Sequence, residues 1–297
     1  MRIFVTLLSI KKKTYSSKII KELNKKNILV TGGAGSIGSE LVEKLLEFPV
    51  KAVRVLDINE HALFQLNRKI KDDRFRPLLG NVLNLDRLDM ASKDVDVIIH
   101  MAAIKNIEIS EFNPIETIDN NVNGMVNMIK TVMKNEPTKF LNISTDKAAE
   151  PSTLYGATKN LAEHLASWGG KHLPNTKFAS IRFGNVFESR GNVFEIWNEQ
   201  ANMNEPLTVT DYNMKRFFFK KQEAIDFILN CIPLIKQGDI FIPKMKLYDL
   251  KTLASKISNK HKVIGIRQGE KMEEILLTNE EKKYSVEKKD MWIIKSH

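Results

Sequence analysis

Four residues between positions 146 and 159 have side chains suited to proton and hydride chemistry. Tyr155 and Lys159 are four residues apart, so a helix places the phenol and the ammonium on one face. A free tyrosine has a pKa near ~10, and a nearby cation lowers that value enough for the phenolate to take a proton from an alcohol. Asp146 and Lys147 supply the neighbouring acid and base that an elimination needs. Lys147 must be neutral to act as that base, so we expect its pKa to be depressed by burial or by a cationic neighbour.

A glycine-rich turn precedes this group. Residues 31–38 read TGGAGSIG, between a predicted strand and a predicted helix. Such glycines let the backbone approach a pyrophosphate, which then faces the positive end of the helix. Asp57 follows at the end of the next predicted strand, where a carboxylate binds the adenosine ribose and repels a 2′-phosphate. The residue after it is Ile58, not an arginine. The turn therefore predicts a dinucleotide cofactor, with NAD preferred and NADP as the alternative.

Strands and helices alternate from residue 27 onward. The strands are predicted at 27–31, 52–56, 75–79, 95–100, 140–144 and 178–183, and the helices at 36–48, 60–70 and 113–134. This alternation predicts an α/β fold, a doubly wound parallel Rossmann sheet with helices on both faces. Shorter elements after about residue 186 predict a smaller C-terminal substrate lobe. The expected division is an N-terminal extension at 1–26, an NAD(P)-binding Rossmann domain at 27–185, and a lobe at 186–297 that is mostly substrate-binding and interleaved with the Rossmann domain.

Composition and charge exclude several other classes of protein. The balance of 46 Lys+Arg against 36 Asp+Glu is +10, but the charges are spread along the chain and no nucleic-acid reading motif is present. A single cysteine, Cys231, rules out an internal disulfide framework and favours a reducing compartment. We expect no metal site, no integral membrane segment and a cytoplasmic location. Residues 15–26 predict a short amphipathic helix with Ile19, Ile20 and Leu23 on one face.

Several motifs together show a family resemblance. Besides TGGAGSIG they are AAIK (102–105), STDKAAEPSTLYGATK (144–159), RFGNVFESRGNV (182–193), MKRFFF (214–219), IFIPK (240–244) and IGIRQGEK (264–271). From about residue 27 to 294 the chain resembles the extended short-chain dehydrogenase/reductase superfamily. Within it, the chain is similar to the polysaccharide biosynthesis proteins, and specifically to the 5-inverting UDP-N-acetylglucosamine 4,6-dehydratases.

The resemblance implies a role for each of the four catalytic residues. Tyr155 removes the 4-hydroxyl proton, while Lys159 holds the nicotinamide ribose and lowers the Tyr155 pKa. Lys147 removes the proton on carbon 5, and Asp146 protonates the departing 6-hydroxyl. Hydride returns to carbon 6, so a tightly bound NAD(P) is recycled. The implied product is a UDP-4-keto-6-deoxy sugar for surface glycan synthesis, and a homo-oligomer is implied as well.

The resemblance also implies two sets of binding residues, which share Lys105. The cofactor set, which includes Tyr155 and Lys159, is completed by Gly32, Ala34, Gly35, Ser36, Ile37, Gly38, Asp57, Ile58, Asn81, Val82, Met101, Ala102, Ala103, Lys105, Asn120 and Val186. The UDP-sugar set is Lys105, Thr145, Asn185, Arg190, Val193, Arg216, Arg267 and Glu270. Arginines suit a diphosphate because a guanidinium binds its oxygens in a bidentate manner.

Three alternatives to this interpretation stay open. A UDP-N-acetylhexosamine 4-epimerase shares Tyr155 and Lys159 but does not need Asp146 and Lys147 as acid and base. A 5-retaining dehydratase differs only in the face of carbon 5 that is reprotonated, and Asp57 is compatible with it. A non-catalytic NAD-binding partner is the third. The chain also departs from the family's usual pattern at residues 106–108, which read Asn-Ile-Glu and not His-Val-Pro.

Overall fold

The computed structural model describes residues 15–296. The α-helices are α1 Ser17–Leu23, α2 Ser36–Leu46, α3 Glu60–Lys69, α4 Leu85–Ser92, α5 Ile107–Phe112, α6 Pro114–Ile118, α7 Gly124–Asn135, α8 Leu154–His172, α9 Val193–Asn202, α10 Lys221–Cys231, α11 Leu250–Ala254 and α12 Asn279–Lys282. The strands are β1 Asn27–Thr31, β2 Ala52–Asp57, β3 Phe75–Leu79, β4 Val97–His100, β5 Lys139–Thr145, β6 Lys177–Phe183, β7 Asn185–Val186, β8 Leu207–Val209, β9 Lys215–Phe219, β10 Gln237–Pro243, β11 Lys246–Asp249, β12 His261–Val263, β13 Ser285–Glu287 and β14 Met291–Ile294.

The main sheet has nine strands in the order β13-β14-β10-β6-β5-β4-β1-β2-β3. From β3 to β10 all neighbouring strands are parallel, and the only antiparallel pairings are β10 with β14 and β14 with β13 at one edge. The order β3-β2-β1-β4-β5-β6 is that of the doubly wound dinucleotide-binding fold. The predicted Rossmann sheet is therefore confirmed. Its carboxyl edge is where ligands bind in such folds.

Helices cover both faces of this sheet, because its central strands are apolar on both sides. β1 and β5 are buried along their whole length. One face packs against α2 and α10, and the other against α4, α7 and α8. Burial on both faces is typical of parallel sheets.

The lobe after β6 is built around an aromatic cluster. Phe187 stacks on Phe218, with ring centroids 4.6 Å apart, and Tyr248 meets Phe187 edge-on at 5.3 Å. Two small sheets belong to this part, in the orders β11-β9-β7 and β12-β8. β10, α10, β13 and β14 return to the main sheet, so the chain crosses between the lobe and the Rossmann core more than once. The domain bounds given above stay a prediction.

The predicted elements agree with the structure except in a few places. The helix predicted at 113–134 is continuous from Pro114 to Asn135, but it contains a π-helical turn at Asp119–Asn123 between α6 and α7. The helix predicted within 15–26 is α1, but only Ile19 and Leu23 are buried, and Ile20 is 43% exposed. The remainder of the predicted extension, residues 1–14, lies outside the described residues. Across residues 15–296, no helix has the length and apolar character to cross a membrane.

Candidate active site

A cavity of about 1380 Å³ opens at the carboxyl edge of the main sheet. It extends from the glycine turn after β1, past the ends of β4 and β5, to the lobe residues that follow β6. Pockets for one small ligand are typically about 300–1000 Å³, so this volume suits two ligands side by side. The predicted cofactor and substrate residues line this one cavity, with the single exception of Ala34.

The glycine turn is packed so closely against neighbouring backbone that two of its positions have no room for a side chain. Gly32 has a left-handed backbone (φ +67°), and a Cβ there would lie 2.7 Å from the amide nitrogen of Ala102. A Cβ on Gly38 would lie 2.6 Å from the carbonyl oxygen of Gly32. α2 begins after Gly35 without a side-chain cap, so the amides at its N-terminus face the cavity unpaired by a capping group. Unpaired amides and the helix dipole favour an anion at this point.

Asp57 connects the glycine turn to the end of the cavity that Asn81 lines. Its carboxylate accepts hydrogen bonds from the backbone amides of Ala34 and Asn59, each at 3.0 Å. Ala34 is buried behind the turn and does not line the cavity, so its contribution is the backbone amide that holds the Asp57 carboxylate. At the same end the Asn81 side chain accepts from the Leu83 amide at 2.9 Å.

Asp146 and Lys147 form a close ion pair directly after β5. The Lys147 Nζ atom lies 3.0 Å from Asp146 Oδ1 and 3.6 Å from Oε1 of Glu274. The Asp146 side chain is fully buried and that of Lys147 is 14% exposed. Burial lowers the pKa of Lys147, but the two carboxylates outweigh it and the net pKa is raised. The expectation of a depressed Lys147 pKa is therefore wrong for the protein alone.

Tyr155 and Lys159 are both in α8, in the helix turn that packs on the Asp146–Lys147 loop. A Cβ on Gly156 would lie 2.5 Å from the Lys147 carbonyl oxygen, so helix and loop are in direct contact. Burial raises the pKa of Tyr155, although the Lys147 cation and the Thr145 hydroxyl act in the lowering direction. Burial lowers the pKa of Lys159 to about 8. In the protein alone, the expected lowering of the Tyr155 pKa is therefore outweighed by desolvation.

The loop after β4 is held against α8 by Asn121. Its side chain accepts from the amide of Ile104 at 2.8 Å, and donates to the Ile104 carbonyl at 2.9 Å and to the Thr158 hydroxyl at 3.1 Å. The neighbouring Asn120 lines the cavity and donates to Asn121 at 3.1 Å. Asn121 was not among the predicted site residues. Its buried position within the π-helical turn is a tertiary feature that the sequence pattern does not show.

Most of the predicted substrate residues come from the part of the chain after β6, whereas Thr145 ends β5 and Lys105 lies in the loop after β4. Lys105 donates to the Arg190 carbonyl oxygen at 2.8 Å, which joins the loop after β4 to the lobe. The Arg190 amide in turn donates to the Ser36 hydroxyl at 3.2 Å. Arg267 pairs with Glu108 at 2.9 Å across the mouth of the cavity. Arg216 is buried and donates to the carbonyl oxygen of Met272 at 3.2 Å. The remaining predicted residues, Asn185, Val193 and Glu270, line the same cavity.

The residues around Lys147 differ from the predicted catalytic set in two ways. Asp146 does not line the cavity, because it lies beneath Lys147 and against Gly184, where a Cβ would be 3.1 Å from Asp146 Oδ2. Glu274 does line the cavity, although no motif pointed to it. It lies just beyond the IGIRQGEK motif, and its approach to Lys147 depends on tertiary packing.

The chain is similar to known proteins along most of its length. A family model described as "Polysaccharide biosynthesis protein" matches residues 28–296. An uncharacterized membrane protein of Methanocaldococcus jannaschii is 42% identical over 286 residues, covering 91% of this chain and 85% of the relative. A UDP-N-acetylglucosamine 4,6-dehydratase (inverting) of Campylobacter jejuni is 36% identical over 279 residues, covering 91% and 83%.

A solved structure shows the same similarity in three dimensions. The X-ray structure of Pen from Bacillus thuringiensis superposes with a TM-score of 0.87 at 34% sequence identity, covering 92% of this chain and 88% of that one. Because the family model spans nearly all the described residues, the chain belongs to the polysaccharide biosynthesis protein family.

Proposed function

We propose that the chain is a nucleotide-sugar 4,6-dehydratase that converts UDP-N-acetylglucosamine into a UDP-4-keto-6-deoxy sugar, with inversion at carbon 5. The observation that supports this reaction most directly is the contact between Lys147 and Asp146 at 3.0 Å, beside Tyr155 at the cavity. An acid and a base within hydrogen-bond distance suit an elimination, whereas simple oxidation of an alcohol needs only the tyrosine and its lysine.

In the proposed reaction, Tyr155, Lys147 and Asp146 each transfer one proton. Tyr155 acts as a phenolate that takes the 4-hydroxyl proton. Burial raises the Tyr155 pKa, the Lys147 cation acts to lower it, and the Lys159 ammonium adds a second charge that stabilises the phenolate. Moving one proton from Lys147 Nζ to Asp146 Oδ1 converts the resting ion pair into a neutral amine and a neutral acid. Lys147 then takes the proton from carbon 5, and the released electron pair forms the double bond to carbon 6. The bond from carbon 6 to oxygen breaks, and the Asp146 proton goes to that oxygen as water leaves. Because Asp146 lies beneath Lys147 and does not line the cavity, its side chain must turn towards the substrate for this step. A proton from solvent water then reaches the opposite face of carbon 5 and completes the inverted sugar.

The residues at the glycine turn fit NAD. The close packing at Gly32 and Gly38 allows a tight turn that brings the uncapped end of α2 to the cavity, where a pyrophosphate would bind, and Asp57 presents a carboxylate suited to ribose hydroxyls. The chemistry that NAD supplies when bound is acceptance of hydride from carbon 4 and its return to carbon 6, so no cofactor is consumed. We infer a tightly held NAD, with NADP as the weaker choice because Asp57 repels a 2′-phosphate.

The lobe side of the cavity fits a UDP-sugar. Arg190, Arg216 and Arg267 line the cavity, and a guanidinium binds a diphosphate through paired hydrogen bonds. Glu270 accepts from the Arg267 backbone amide at 3.1 Å, and we infer that its other carboxylate oxygen accepts from ribose hydroxyls. The cytoplasmic location and the homo-oligomeric state stay predictions.

The test is to incubate the purified protein with UDP-N-acetylglucosamine, with and without added NAD, and to measure the product mass. We expect loss of one water without net consumption of NAD, and NMR of the product then gives the configuration at carbon 5. Retained configuration would favour the 5-retaining alternative. A Tyr155→Phe variant should lose activity, and an unaffected variant would favour the non-catalytic interpretation.

A 4-epimerase is the second candidate, and one observation favours it. Lys147 is held as an ammonium between two carboxylates, and an ammonium cannot take a proton from carbon 5. Tyr155 and Lys159 alone are sufficient for epimerisation. An unchanged product mass together with a chromatographically distinct UDP-sugar would establish the epimerase, and an Asp146→Asn variant would then keep its activity.

A further inference from the structure

Glu274 is a buried carboxylate in the reaction centre that none of the sequence motifs includes. It is 5% exposed and lines the cavity. Its Oε1 atom lies 3.6 Å from Lys147 Nζ, and no group within residues 15–296 donates a hydrogen bond to its Oε2 atom. A buried carboxylate with an unpaired oxygen is costly, so its position calls for a functional explanation.

The backbone around Glu274 is fixed on both sides. The Met272 carbonyl accepts from the Lys215 amide at 2.8 Å and from the Arg216 guanidinium at 3.2 Å. On the other side, the Leu276 carbonyl accepts from the buried Arg182 guanidinium at 3.1 Å. The segment is thus attached to β9 and to β6, and the carboxylate is held at Lys147 by its backbone.

We propose that Glu274 is a positioning residue of the reaction centre, whose carboxylate holds the Lys147 side chain beside Asp146 and keeps it in the ammonium form at rest. Three groups that can change charge face Lys147: Asp146 in the same turn, Glu274 in the C-terminal segment, and Tyr155 in α8. Of these, Glu274 is the only one without an assigned role in proton transfer. Its role in the reaction rests on the proposed dehydratase function, but its effect on the charge of Lys147 does not.

The physical consequence is a change in the basicity of Lys147. When Lys147 takes a proton from carbon 5, positive charge forms at Nζ, and a carboxylate 3.6 Å away stabilises it. Without that carboxylate the ammonium has only Asp146 as a partner. An opposite charge within ~4–6 Å shifts a pKa by about one unit or more.

The test measures the pKa of Lys147 directly in the purified full chain. Trace labelling with acetic anhydride across a pH series, followed by peptide mass spectrometry, gives the fraction of neutral amine at Lys147. We expect Glu274→Gln to move the labelling midpoint downward by about one pH unit. The matched control is Glu273→Gln, because Glu273 is 51% exposed and lies 3.9 Å from Lys215; it should leave the midpoint unchanged.

A second variant separates charge from structure. Glu274→Asp keeps the negative charge. The Lys147 labelling midpoint should therefore shift less in this variant than in Glu274→Gln. An unshifted midpoint in Glu274→Gln, or equal shifts in both variants, would overturn the proposal. The pH dependence of dehydration is recorded in parallel, and its acidic limb should move with the labelling midpoint. A wild-type chain that releases no water would refute the proposed function while the labelling result still decides the role of Glu274.

Discussion

His100 should make the protein lose stability in mild acid. It ends β4 beneath the glycine turn and is 2% exposed. Its Nδ1 atom lies 2.7 Å from the Thr31 hydroxyl, whose oxygen also accepts from the Met101 amide at 3.3 Å. The same oxygen accepts from the Ala102 amide at 3.4 Å, so both of its lone pairs are used and the hydroxyl proton is directed at Nδ1, which then carries no proton of its own. Burial, reinforced by the Lys159 cation, lowers the pKa of His100 to about 3.

The size of the effect follows from proton linkage. The unfolded chain has a histidine pKa of ~6.5, so below that value it binds a proton that the folded chain does not. Unfolding is therefore favoured as the pH falls from about 6.5 towards the folded-state pKa. Each pH unit in this window corresponds to about 1.36 kcal/mol, so the loss between neutral pH and about pH 5 is about 2 kcal/mol.

Urea unfolding of the wild type and of His100→Asn, at neutral pH and at about pH 5, measures this loss. Other groups also titrate, but they contribute equally to both proteins, so the difference between the two pH dependences isolates His100. We expect the wild type to lose about 2 kcal/mol more than the variant. His61→Asn, at an exposed position on α3, is the control and should behave as the wild type. Equal losses in the wild type and His100→Asn would refute the reasoning.

Three further substitutions test other contacts. Gly32→Ala should weaken NAD binding about tenfold or more in a fluorescence titration, because the backbone there is left-handed and the added Cβ collides with the next loop. Arg182→Met should lower the free energy of unfolding by about 3 kcal/mol in urea, because it leaves Glu163 buried without its partner. Glu108→Ala should tighten UDP binding up to about fivefold by calorimetry, since it frees Arg267 from an exposed ion pair.

Local sequence patterns were sufficient to predict the core of the fold. The period of apolar residues located β1, β2 and β3, and the glycine spacing located the turn before α2. These signals are local, because a strand, a tight turn and a helix start are each determined by a few adjacent residues. The order of the central strands then follows from the doubly wound topology.

Long-range features of the site could not be predicted in the same way. β10 inserts between β6 and β14, and no periodicity in the sequence indicates those partners. Ile20 shares the apolar character of Ile19 but points to solvent, because α1 is short and only one side of it meets the core. The charge state of Lys147 depends on Glu274, whose position is set by hydrogen bonds to β9 and β6.

The buried Arg182 links the segment that carries Glu274 to α8, the helix of Tyr155 and Lys159. Its guanidinium contacts Glu163 at 2.6 Å and Glu281 at 2.8 Å, and its NH1 donates to the Leu276 carbonyl. Glu163 lies one helical turn after Lys159, and its charge raises the Lys159 pKa against the effect of burial. Leu276 belongs to the segment that holds Glu274 at Lys147. Arg182 therefore holds the segment beside Lys147. It also pairs with Glu163, the carboxylate that raises the Lys159 pKa. Breaking a buried ion pair by removing one partner is strongly destabilising. The Arg182 contacts therefore hold α8, which carries Lys159, and the segment beside Lys147 in fixed positions at the cavity.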